Sequence, residues 1–100
     1  MNTYVIRREK AWQNPAELEA AAARSKEVAE SDFPDDIRWI RSYVIEEEGG
    51  TLGTVCIYQA SGGQAVRDHA KRVGMPADEI LDVVDTVVIR PDPPPEAAAA

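Results

Sequence analysis

The chain has 100 residues, 44% of them hydrophobic and 29% charged, which suits one folded domain and excludes wholesale disorder. A formal charge of −7 with no clustering of basic residues argues against nucleic acid and against anionic membrane surfaces as partners. The single cysteine, Cys56, excludes an intrachain disulfide, no apolar run is long enough for a bilayer, and Met1-Asn2-Thr3-Tyr4 enters structure without a secretory leader, so the default location is cytoplasmic.

Residues 3–8, Thr-Tyr-Val-Ile-Arg-Arg, are β-branched and aromatic until they end in charge, and predict a first strand. Asn14-Pro15-Ala16-Glu17 joins a capping residue, a proline where no N–H is needed and a glutamate able to reach back. The alanine- and glutamate-rich run that follows predicts a helix to about residue 29, with Leu18, Ala21, Ala22, Ser25 and Val28 on one stripe. Turn formers at residues 31–36 break it. Residues 37–46 read as a long strand, Glu47-Glu48-Gly49-Gly50 as a tight reversal, and residues 51–59 as the returning strand. Ser61 stands three residues before Gln64, a capping-box spacing, and Gly74 with Pro76 ends the helix that follows. Val66, His69, Ala70 and Val73 share its apolar face. One more helical turn is expected at residues 76–79 and a last strand at residues 80–90. The order is β-α-β-β-α-β: an α+β, ferredoxin-like domain over residues 1–90, its two helices on one face of an antiparallel sheet. Residues 91–100 are expected to form a Pro/Ala-rich flexible tail.

The opposite sheet face needs a cover, because simple alternation puts Trp39, Tyr43 and Ile45 on one side of the second strand and Ile40 and Val44 on the other. A chain of this size gains core by pairing with a copy of itself, so a homodimer is the expected partner, with a small apolar ligand between sheet and partner as the alternative. His69 is the only side chain with an ordinary pKa near neutrality and the best single metal ligand, although its apolar neighbours also suit a hydrogen-bonded boundary residue. Cys56 is a candidate thiolate ligand or, equally in keeping with its mid-strand place, a small hydrophobe. No CxxC spacing, calcium loop, phosphate loop or hydrolase triad is present in the sequence.

Three stretches in order are Trp39-Ile40-Arg41-Ser42-Tyr43-Val44, Cys56-Ile57-Tyr58-Gln59-Ala60, and the helix end from Asp68-His69-Ala70 through Gly74-Met75-Pro76-Ala77-Asp78 to Ile80. Together they resemble the family of small bacterial nickel-binding-protein-like domains. The resemblance spans roughly residues 3–90. It implies a ferredoxin-like fold, a homodimer and, in at least one member, nickel held at the dimer surface.

The leading expectation is therefore a small dimeric divalent-metal-binding protein, with nickel or another divalent transition metal as its cofactor. His69 and secondarily Cys56 are the candidate ligands, supported by nearby acids. The alternative is a small-molecule binder or enzyme of the dimeric α+β barrel type, with Trp39, Tyr43 and His69 around an apolar cavity. A third is a structural partner for another protein, tethered by the tail.

Overall fold

The computed structural model describes residues 1–95. Strand β1 (Asn2–Trp12) turns Tyr4, Ile6, Arg8 and Trp12 to its buried face. It outruns the expected end at Arg8 because the Glu9 N–H donates to Asp78 Oδ2 at 2.6 Å and the Lys10 N–H to the Glu47 carboxylate. Lys10 there has φ +48, inside an irregularity where the step from Arg8 to Trp12 faces the shorter step from Thr54 to Leu52. Trp12 thus stays on the inward side.

Helix α1 (Pro15–Asp32) starts as the sequence predicts: Asn14 Oδ1 accepts the Glu17 N–H at 2.9 Å. The Glu17 carboxylate reaches back to the Gln13 N–H at 2.9 Å, one residue before the cap. Its buried residues are Ala21, Ser25 and Ala29, side chains small enough to let the helix lie close to the sheet. Strand β2 (Ile37–Glu46), a short turn of 3₁₀ helix (Glu48–Gly50) and strand β3 (Leu52–Ala60) make the central hairpin. Gly49 and Gly50 take φ of +78 and +80, where a Cβ would be strained. Helix α2 (Gly63–Val73) closes on Gly74, whose N–H donates to the Ala70 carbonyl at 2.9 Å. Strand β4 (Glu79–Val83) completes an antiparallel sheet of order β2-β3-β1-β4. Tyr4, Ile6, Cys56, Tyr58 and Ala60 from the sheet meet Ala29 and Val66 from the helices in the core. The fold is the ferredoxin-like α+β arrangement.

Four expectations need correction. No capping box forms at Ser61: the cap of α2 is Gly62 without a side-chain bond, Gln64 Nε2 bonds Asp68 instead, and the Ser61 N–H holds the Asp36 carbonyl at 3.0 Å. Residues 76–79 make no helical turn, because the Asp78 N–H donates to the Arg7 carbonyl at 2.9 Å and draws the segment to the sheet edge. The last strand ends at Val83, opposite Thr3, where β1 has almost run out of residues to pair with. Finally, β2 carries a bulge: Trp39 faces Tyr58 but Arg41 faces Ile57. The extra residue reverses the alternation, so Trp39 lies on the helix side with Ser42 and Val44, while Arg41, Tyr43 and Ile45 lie on the open side.

The chain beyond β4 runs along that open face. Asp92 accepts a hydrogen bond from the Tyr43 hydroxyl at 2.6 Å and pairs with Arg41. Of the tail expected over residues 91–100, residues 91–95 carry no helix or strand, and residues 96–100 lie outside the described residues. No helix among the described residues is long and apolar enough to cross a membrane.

Candidate functional site

A cleft of about 230 Å³ opens between the first half of α1 and the helix-side face of the sheet. Its walls are Trp12 from the end of β1, Leu18 and Ala22 from α1, Trp39 and Val44 from β2, and Met75 after α2. Its floor is Arg8, Ser42, Thr54, Cys56 and Tyr58, brought side by side because β1, β3 and β2 are adjacent strands, with their polar atoms turned away from the opening and the surface facing it almost wholly apolar. The bulge in β2 puts Trp39 and Ser42 on this face together.

Arg8 is the group that sequence reading missed. It is 1% exposed and makes no ion pair among the described residues. One nitrogen, Nη1, donates to Cys56 Sγ at 3.2 Å, while Nε and Nη2 are buried with no partner. Its guanidinium carbon stands 5.9 Å from the Tyr58 ring centroid. A buried guanidinium without a counter-charge is costly, so its persistence calls for a reason. Arg7, one residue earlier, faces the open side and is satisfied by Glu47 and by the Arg8 and Thr54 carbonyls. The signal was available in the strand's period: Tyr4, Ile6 and Arg8 share one side, which places an arginine where the pattern calls for an apolar residue.

Cys56 Sγ is fully engaged. It accepts from Arg8 and from Ser42 Oγ at 3.0 Å, and donates to Thr54 Oγ1 at 3.3 Å. Trp39 Nε1 in turn donates to Ser42 Oγ at 2.8 Å, which orients both the indole and the hydroxyl. Tyr58 shares a 3.3 Å hydrogen bond with Ser25 Oγ, and burial pushes its phenol above the ordinary value of 10.0, so it remains a neutral donor.

His69 is 0% exposed, packed edge-on against Phe33 and Tyr58. Its Nε2–H donates to the Ser25 carbonyl at 3.0 Å, which leaves Nδ1 as a bare, unpartnered nitrogen. Burial holds its pKa below the ordinary 6.5, the nearby charge of Arg8 adds to that, and the Ser25 carbonyl opposes it. His69 is thus neutral at neutral pH and belongs to the core between α2, α1 and β3. The cleft wall holds Trp39 and Cys56 but neither His69 nor Tyr43. Tyr43 is 45% exposed on the other face of the sheet.

Nickel fits these donors poorly within one chain. The sulfur of Cys56 has a guanidinium beside it, which opposes a cation, and the His69 ring is sealed in the core. Among the described residues no group of three or more His, Cys, Asp or Glu side chains converges as a metal site would require.

The fold and this geometry define a small α+β domain with a helix-roofed cleft. A family model described as nickel responsive protein SCO4226-like matches residues 4–83, and the chain belongs to that family. Its fold is similar to that in the crystal structure of SCO4226 from Streptomyces coelicolor A3(2), with a TM-score of 0.66 at 16% identity. The match covers 85% of this chain and 99% of that one. No curated protein matches the chain.

Proposed function

We propose that this chain is a small-molecule-binding protein whose site is the cleft between α1 and the sheet. The observation that carries the reading is an apolar cleft lined by both tryptophans, with Arg8, Ser42, Thr54, Cys56 and Tyr58 packed beneath it. Its volume lies below the about 300–1,000 Å³ usual for drug-sized ligands, so the occupant is about one or two rings in size. The work is binding: Glu19 is the one acid in the lining, and among the described residues neither a second carboxylate nor a nucleophile with an adjacent base stands beside it.

Both tryptophans of the chain, Trp12 and Trp39, line the cleft, so a ligand reports itself in intrinsic fluorescence. A panel of one- and two-ring acids, alcohols, amides and amines is expected to contain quenchers of the wild type. Ala22→Phe, which fills the wall, is expected to lose that quenching. Equal quenching of both proteins would sink the reading.

A divalent metal bound between two copies is the second reading, and membership of a family named for nickel responsiveness is the observation that favours it. Responding to nickel does not require ligating it. Such a site would draw on surface carboxylates of paired chains rather than on His69 or Cys56. Titration calorimetry with nickel, zinc and cobalt is then expected to give the same heats for wild type and His69→Ala. A homodimer belongs to this reading, and Val84, Val87, Val88 and Ile89, all exposed on the segment after β4, are the apolar surface it would cover.

A further inference from the structure

We infer that the occupant of the cleft is an uncharged, apolar molecule of about one substituted ring, lying against Trp12, Trp39, Leu18 and Met75 with no hydrogen bond to the floor. The inference rests on the cleft reading above and adds the chemical class of the ligand.

The polar groups of the floor have already spent their hydrogen bonds on one another. Cys56 Sγ engages Arg8 Nη1, Ser42 Oγ and Thr54 Oγ1, the Trp39 Nε1–H is held by Ser42, and the Tyr58 hydroxyl shares its bond with Ser25. The two unpartnered nitrogens of Arg8 lie sealed beneath that layer. What faces the opening is therefore almost wholly apolar: indole rings, the aliphatic groups of Leu18, Ala22 and Val44, and the Met75 thioether. A ligand that brought a charge inside would give up its water and gain no partner. The Arg8 guanidinium, 1% exposed under the floor, further opposes a cation. Glu19, the one acid in the lining, is exposed to water and too screened to offset that, and it offers an anion nothing. A hydroxyl or amide costs less than a charge but also finds no free donor or acceptor. Size agrees, since apolar cavities of about 150 Å³ stay dry and take benzene, and a cleft of about 230 Å³ adds room for a substituent.

The test titrates the wild type at neutral pH with toluene, benzyl alcohol, benzoate and benzylammonium, probes of one shape, by calorimetry and by the emission of Trp12 and Trp39. Toluene is expected to bind about tenfold or more tighter than either ion, a factor worth about 1.4 kcal/mol, with benzyl alcohol between and a negative heat-capacity change for toluene. Ala22→Phe, which fills the wall, is expected to abolish the toluene signal. Should that variant fail to fold, Leu18→Asn serves instead: the amide it sets in the wall weakens toluene several-fold and narrows its lead over benzyl alcohol. Benzoate or benzylammonium binding as tightly as toluene would overturn the inference and leave the cleft reading standing. No binding by any of these probes, or by the wider panel, would overturn both. Toluene binding untouched by Ala22→Phe or by Leu18→Asn would place the ligand elsewhere and overturn both as well.

Discussion

At the scale of single residues, the informative pair is Arg8 and His69, two groups that the fold buries at a cost. Function-bearing sites are often kept at the expense of stability. Replacing Arg8 by methionine removes an uncompensated charge and keeps much of its volume, so Arg8→Met is expected to be more stable than wild type by about 1 kcal/mol or more. The urea midpoint measures it, and a loss of stability would mean that the bond to Cys56 outweighs the buried charge. His69 makes the opposite demand on pH. Its folded-state pKa is depressed, so on acidification the unfolded chain takes up the proton first. The contribution of His69 is therefore complete above about 6.5 and is lost as the pH falls below that value toward the folded one. Between about pH 7.5 and about pH 5.5 the wild type is expected to lose stability, and His69→Gln to show a flatter dependence. A wild-type profile already flat over that window would show that the ring is not sealed as described.

At the scale of elements, two local devices place the cleft. Asn14 caps the first turn of α1, which forms the roof, so Asn14→Ala is expected to cost about 1 kcal/mol and to weaken cleft ligands through fraying of that turn. Denaturant unfolding together with the tryptophan titration separates the two effects. The bulge at Ile40 decides what the cleft contains. Deleting Ile40 would restore strict alternation in β2 and leave each face as it is, since Trp39 and Arg41 already pair with the consecutive residues Tyr58 and Ile57. The deletion is expected to keep ligand quenching, because Trp39 and Ser42, then two residues apart, share a face under strict alternation. Circular dichroism would report the fold and fluorescence the site.

At the scale of the whole molecule, the segment after β4 closes over the open face through Asp92. Its hydrogen bond to Asp92 is the main reason that the Tyr43 phenol titrates above its ordinary value of 10.0. Asp92→Ala is expected to bring the Tyr43 titration down toward that value, followed by ultraviolet absorbance. It should leave the melting temperature almost unchanged, because exposed ion pairs contribute little.

Much of the architecture was legible in the sequence. The cap at Asn14, the paired glycines at 49 and 50 and the stop at Gly74 are local chemistry, and local chemistry is what a sequence states directly. They sufficed for element order, and right-handed crossovers then sufficed for the ferredoxin-like layering. The capping box at Ser61 and the helical turn at residues 76–79 misled, since Asp36 and Arg7, distant in the chain, claim those backbone groups instead. The site lay further out of reach. His69 and Cys56 stand out by rarity, yet rarity says nothing about surroundings, and one is enclosed by the core while the other is held under a guanidinium. Sequence by itself determined the order of the elements and the local chemistry that starts α1 at Asn14 and stops α2 at Gly74. Only the tertiary structure decided that Trp39 and Tyr43 face opposite ways and that Arg8 has no counter-charge among the described residues, because a bulge and a missing partner are properties of strands laid side by side.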